Sequence, residues 1–222
     1  MYRKRLPREY EKKVLVRHRQ VLNDINSHRK SYKVKVLGKN FIVLPTVFTP
    51  TYPDSIFFAK FLSRIRNASK VLDVGTGSGI HAISIASNAS RVLAVDINRK
   101  AVKNTKINAQ KFGIKNIEAR YSNIFSNIKE KFDTIIFNPP FRYFKPQSIS
   151  EKALTDENYK NLTSFFNNAR KHLNENGKIY LIFSDSGDLN YLHYLIRKNK
   201  FKYKISEKMR KHGFNFFIYE IK

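Results

Sequence analysis

Cysteine is absent from the 222 residues, which excludes disulfide bonds and thiolate metal sites alike. Acidic side chains are scarce: 17 Asp and Glu stand against 43 Lys and Arg, a formal charge of +26. No apolar run approaches the length that spans a bilayer, and the first residues carry no signal-like apolar core. A cytoplasmic protein with no membrane partner is therefore expected. The six histidines are scattered without ligand spacing, so they read as surface or packing residues and no metal site is expected. Internal repeats and low-complexity blocks are missing too. What is present, a 41% hydrophobic content, fills one sizeable core, as in a single α/β domain with a modest extension.

The shortage of acids needs its own cause. Nucleotide bias in a genome enriches Lys and Asn, but it does not deplete glutamate. A phosphate-rich partner accounts for both, because a basic surface raises affinity and encounter rate for polyanions. Nucleic acid is the favoured partner; a solvated charged face and an anionic membrane are the alternatives.

The chemistry is concentrated between residues 70 and 141. Lys70-Val71-Leu72-Asp73-Val74 is a short apolar run of the kind that forms a buried parallel strand. It leads into Gly75-Thr76-Gly77-Ser78-Gly79, where glycine permits unusual dihedrals and close approach of a ligand. The dinucleotide pattern Gly-x-Gly-x-x-Gly fails, because Ile80 occupies its third glycine position. A second strand, Val92-Leu93-Ala94-Val95, ends in Asp96, which places a carboxylate at the carboxyl edge of the sheet, where ligands of open α/β sheets bind. Capping of the helix that opens at Asn98 is the plainer role for Asp96.

Further on, Phe132–Phe137 reads as another buried strand and ends in Asn138-Pro139-Pro140-Phe141. Successive prolines fix φ and hold the preceding residues extended, giving a stiff corner. The Asn138 side-chain oxygen and the Pro139 carbonyl can accept the two hydrogens of a planar NH2 group. Phe141 offers a face for stacking a base or an amide plane. A rigid strand exit with Phe141 in the core is the bland reading of the same tetrad.

Asp73-x-Gly75-x-Gly77-x-Gly79 resembles motif I of the class I S-adenosylmethionine-dependent methyltransferases. The Asn-Pro-Pro-Phe tetrad resembles motif IV of the members that methylate exocyclic base amines or glutamine side-chain amides. The resemblance covers about residues 45–222. It implies a Rossmann-like seven-stranded α/β sheet with helices on both faces, closed by a strand pair with one antiparallel member, and S-adenosyl-L-methionine as cofactor. It further implies cofactor contacts at Asp73, Gly75, Thr76, Gly77, Gly79, Asp96, Ile97, Asn123 and Asn138. There Asp96 takes the ribose hydroxyls, Ile97 packs on adenine, and Asn123 stands where the family often has an acid. Asn138, Pro139 and Phe141 would carry the transfer. Related amino-methyltransferases also have an aromatic-x-Pro segment like Phe48-Thr49-Pro50 before the first core helix. In it, Asp54 is expected as a helix cap and Phe48 or Thr49 as a cofactor contact.

The remaining chain organises around this core. Residues 1–45 form a basic extension, with Arg3, Lys4, Arg5 and Arg8 leading an amphipathic helix and a hairpin turning at Gly38-Lys39. Residues 46–222 form the methyltransferase-like domain. Helices are expected at 55–67, 79–88, 99–112, 155–174 and 188–198. Strands are expected at 70–74, 91–96, 116–121, 133–137, 178–183, 201–206 and 214–221. The loop Phe141–Gln147 mixes cations with aromatics, which suits phosphate contact with base stacking or an ordinary cover over the site. The favoured activity is N-methylation of a nucleic-acid base, RNA over DNA, adenine N6 before guanine N2. A protein glutamine amide, a small molecule and a non-catalytic RNA-binding role are the rivals; the oligomeric state is open.

Overall fold

The computed structural model describes residues 8–222; the cluster at Arg3, Lys4 and Arg5 lies outside the described residues. The basic extension opens with helix α1 (Arg8–Ser27). Strands β1 (Tyr32–Val36) and β2 (Lys39–Val43) then form an antiparallel hairpin. The turn is Leu37-Gly38, one residue earlier than expected, and both residues have positive φ, the geometry that matches strand twist in a two-residue hairpin. The hairpin is fastened to the domain by two asparagines. Asn104 and Asn108 accept from the amides of Leu44 and Ile42 and donate to the Ile42 carbonyl.

The domain alternates helix and strand: α2 (Pro53–Leu62), β3 (Lys70–Val74), α3 (Ile80–Ile85), β4 (Arg91–Asp96), α4 (Arg99–Lys111), β5 (Ile117–Tyr121) and β6 (Phe132–Phe137). Helix α5 (Lys160–Ala169), β7 (Leu173–Ser184), α6 (Leu189–Lys198), β8 (Tyr203–Lys211) and β9 (Phe214–Ile221) complete it. The sheet order is β5-β4-β3-β6-β7-β9-β8. All neighbours from β5 to β7 pair in parallel, and β9 runs antiparallel to both β7 and β8. This is the Rossmann-like class I methyltransferase sheet.

Alternate residues of each strand feed opposite faces. Leu72, Leu93 and Ile135 join a core under α5 and α6, which contribute Leu162, Phe165, Leu192 and Leu195. Val71, Val92 and Ile136 join the other core, with Phe58 and Leu62 of α2 and Ala82 and Ile85 of α3. The strand order reverses at β3 and β6, a topological switch point where a crevice opens beyond the carboxyl ends. There Val74 pairs with both Val95 and Phe137, so the glycine turn and the Asn-Pro-Pro corner leave the sheet side by side.

Four elements differ most from expectation. The helix expected at 55–67 starts at Pro53 and ends at Leu62. The helix expected at 155–174 is shortened to α5, because Asn158 and Tyr159 both adopt left-handed backbone just before it. Asp156 accepts from the amides of Asn161 and Leu162 and so satisfies the start of α5 instead. The strand at 178–183 lengthens backward to Leu173, with a register shift against β6. The strand at 201–206 runs on to Lys211; it is the sheet edge, and exposed lysines along it discourage further pairing.

Candidate active site

At the switch point the chain encloses a cavity of about 430 Å³. One wall is the glycine turn. Gly75, Gly77 and Gly79 all have positive φ, so the turn depends on glycine at each. Gly75, Thr76 and Gly77 line the cavity. Gly79 does not; it starts α3 in left-handed geometry with Thr105 packed against it, where a Cβ would come within 3.1 Å. Asp73 also lies outside the lining, 1% exposed behind the turn. Burial, with the charge of Asp96 adding, pushes its carboxyl up to about 7. The Thr76 hydroxyl and Ala82 amide offset this only in part, and neither oxygen makes a well-formed hydrogen bond among the described residues.

Asp96 faces the cavity from the end of β4. Its Oδ2 accepts from the Gly77 amide at 3.0 Å and its Oδ1 from the Asn98 amide at 2.8 Å. The cap of α4 is Asn98, which accepts from the Lys100 amide. Asp96 thus ties the turn to the strand end and keeps its remaining lone pairs toward the cavity. Burial raises its pKa, opposed by the amides of Asn98, Gly77 and Ile97. Ile97 and Asn123 line the same region.

The opposite wall is the Asn138-Pro139-Pro140-Phe141 corner, all four of which line the cavity. Its setting reveals a residue that local sequence reading assigned elsewhere. Asp54 is not the cap of α2; that position is Tyr52, with Pro53 opening the helix. Asp54 is 8% exposed in the first turn, and its Oδ2 accepts from Asn138 Nδ2 at 2.9 Å. A carboxylate can only accept, so the bond takes up Asn138 Nδ2 and leaves Oδ1, at the other end of the amide, free of Asp54. Burial raises the Asp54 pKa, opposed by the Asn138 hydrogen bond, by the amides of Asp54 and Ser55 and by the charge of Arg142. The only sequence hint was an acid, Asp54, following Pro53 beside the aromatic-x-Pro segment.

The Phe141 ring packs edge-on to Phe183, centroids 5.4 Å apart. Its carbonyl accepts from the Tyr159 hydroxyl at 2.7 Å, and the same hydroxyl accepts from the Asp188 amide. Gly187 presses on that carbonyl so closely that no Cβ could fit. Phe48 lines the cavity stacked on Tyr52, while Thr49 does not reach it. His81, also in the lining, is held neutral by burial, which lowers its pKa to about 4. It packs against Phe58, as the packing reading of the histidines has it.

The rim is contributed by α1 and by residues 141–157. Val21 and Ile25 pack on Leu154, His18 Nε2 meets Glu151 Oε1 at 2.8 Å, and Tyr52 donates to Asp24 at 2.7 Å. Arg17, Arg142, Lys145 and Lys152 enter the lining from these segments.

The methyltransferase small domain model matches residues 39–215. The chain belongs to that family. Its cofactor is S-adenosyl-L-methionine, and the cavity suits it. Gly77 leaves open space where a side chain would stand, and the free lone pairs of Asp96 meet the needs of a ribose diol. The release factor glutamine methyltransferase of Buchnera aphidicola (Schizaphis graminum) is 40% identical over 116 residues, covering 50% of this chain and 42% of that protein. A putative protein N5-glutamine methyltransferase of Methanocaldococcus jannaschii is 38% identical over 120 residues, 54% of this chain and 58% of that one. The chain thus spans about half the length of these curated relatives. A 16S rRNA N2 methyltransferase of T. thermophilus, solved with AdoMet and guanosine, superposes with a TM-score of 0.60 at 20% identity, over 86% of this chain and 50% of that one. No helix among the described residues is long and apolar enough to cross a membrane.

Proposed function

We propose that this methyltransferase acts on an exocyclic amino nitrogen of a nucleic-acid base, in RNA rather than DNA, with adenine N6 first and guanine N2 next. The observation that carries the reading is the pairing, in one cavity, of the Asp54-oriented Asn138 corner with cations at its rim.

Gly75, Thr76, Gly77, Asp96, Ile97 and Asn123 would hold the cofactor, Asp96 at the ribose and Ile97 and Asn123 near the adenine; Asp73 and Gly79 would shape the turn from behind. The cofactor supplies an electrophilic methyl on a sulfonium. The chain's own contribution is placement. Asn138 Oδ1 and the Pro139 carbonyl would accept the two hydrogens of the entering NH2 group and aim its lone pair at the cofactor side, and Phe141 would stack on the ring. Fixed acceptors of this kind act by orientation and by favourable interaction with shifting charge, so no strong base is needed before transfer. A paired base would have to be flipped out to reach the corner.

A second reading keeps the chemistry and changes the substrate to a protein glutamine amide. It is favoured by the 40% identity to a release factor glutamine methyltransferase. A glutamine amide presents the same planar NH2 group to Asn138.

Incubation with radiolabelled cofactor and separate RNA, DNA and protein fractions distinguishes the two. Label in RNA supports the first reading; label confined to protein replaces it with the second.

A further inference from the structure

Arg142 follows the Asn138 corner directly and is 6% exposed while lining the cavity. Burial of so large a cation is ordinarily matched by a carboxylate. Here Asp54 attracts it at a distance, without an ion pair or hydrogen bond among the described residues. The Asp54 carboxylate feels the Arg142 charge, but its hydrogen bonds are spent on Asn138 Nδ2 and on the amides of Asp54 and Ser55. Among the described residues no ion pair or side-chain hydrogen bond reaches the guanidinium, and its Nε is fully buried without a partner. Backbone contacts hold the residue firmly: its carbonyl accepts from the Asp156 amide at 2.8 Å, and it bridges to Thr155.

A second arginine faces the same cavity. Arg17 lines the same cavity from α1, packed on the ring of Tyr52 at 5.7 Å and bonded only to neutral Gln20. Its position is secured by the next residue, since His18 is clamped by Glu151, which also accepts from the Gln147 amide at 2.7 Å. Burial lowers the Arg142 pKa to about 10, with the Asp54 carboxylate opposing and the Arg17 charge adding to the fall. Two cations lining one cavity from separate elements describe a socket for an anion. Lys145 and Lys152 stand exposed at its mouth.

We infer that Arg142 and Arg17 clamp the phosphate adjoining the target nucleotide, with Lys145 and Lys152 receiving the next ones along the strand. The inference rests on the nucleic-acid reading above. A single acidic side chain of a peptide would need only one of these four cations, whereas a backbone charged at every nucleotide uses them all. Donation to the reacting group itself is disfavoured, because a cation on an amide oxygen or ring nitrogen withdraws electron density from the amine to be methylated. A neighbouring phosphate carries no such penalty. The two arginines are thus substrate-positioning residues.

The test is binding of a fluorescent single-stranded oligoribonucleotide of mixed sequence to the full chain with S-adenosylhomocysteine, followed by anisotropy across a salt series. Arg142→Met should weaken binding about tenfold and flatten the log–log salt slope by about 0.7, the value for one lost phosphate contact on a single strand. Arg17→Gln should flatten it in the same direction, and Arg142→Lys should recover part of the loss. Arg142→Met should also unfold within a few degrees of wild type, since the guanidinium it removes makes no side-chain hydrogen bond or ion pair among the described residues; loss of a purely structural arginine would place it well below. If Arg142→Met does unfold well below wild type, Arg17→Gln decides alone. Wild-type binding that is unchanged in affinity and slope by either substitution overturns the clamp while leaving the RNA reading intact. Failure of wild type to bind RNA, with Arg142-dependent binding of an acidic glutamine peptide, overturns both.

Discussion

Asn138 and Asp54, 84 residues apart in sequence, share a hydrogen bond of 2.9 Å in which the amide donates and the carboxylate accepts. This sets which end of the Asn138 amide is held by Asp54 and which is left free of it. Asp54→Ala should therefore lower kcat about 100-fold, the scale of a slightly misplaced reacting group, with little change in cofactor affinity. Steady-state kinetics beside cofactor calorimetry check this, and equal losses in both would remove the orienting role.

The same bond predicts an acid limb in the activity profile. Burial raises the Asp54 pKa, and only the ionised form, which accepts but cannot donate, fixes Asn138 with its Nδ2 toward Asp54. As pH falls through that raised value Asp54 gains a proton, can donate to Oδ1, and loses its hold on the amide's orientation. The kcat profile should fall on the acid side with an inflection above the ordinary carboxylate range; in Asp54→Asn that limb should vanish.

Asp73 makes a separate prediction about stability. Its carboxyl is raised to about 7 by burial, with the Asp96 charge adding, against an unfolded value near 3.9. The folded state binds this proton more tightly, so the contribution favours folding fully below about pH 4 and is lost as pH rises through 7. Asp73→Asn should unfold at a higher temperature than wild type at pH 8 and at about the same temperature at pH 4, as read by thermal denaturation.

At Asp96 the expected loss is in cofactor binding. Asp96→Ala removes the acceptor for the Gly77 amide and the oxygens facing the cavity. Calorimetry should show weaker cofactor binding by at least tenfold; unchanged affinity would remove the ribose assignment.

Gly187 lies against the Phe141 carbonyl with no space for a Cβ. Gly187→Ala should displace the corner, costing about 1–3 kcal/mol of stability, as overpacking does. Turnover should fall more than cofactor affinity, and thermal denaturation with kinetics tests both.

The strands and the glycine turn were legible because buried parallel strands are continuous apolar runs, and because positive φ at Gly75, Gly77 and Gly79 demands glycine. Asn138 and Asp96 were legible because they terminate such strands. Asp54 was not, since its partner is 84 residues away and an acid after proline has an adequate local explanation. The start of α5 was missed because non-glycine residues, Asn158 and Tyr159, take up left-handed backbone there, which propensity does not foretell. That Arg17 and Arg142 line one cavity depends on how α1 crosses the rim, which has no pattern in either segment.

The central claim is that methyl transfer occurs on an amino nitrogen held at Asn138. Its most direct measurement is a nucleoside digest, read by mass, of RNA treated with wild type and with Asn138→Ala. The account predicts an amino-methylated nucleoside with wild type and at least a 100-fold reduction with the variant, at near-normal cofactor affinity. An RNA pool that stays unmethylated while a glutamine gains the methyl, or equal methylation by the variant, would contradict it.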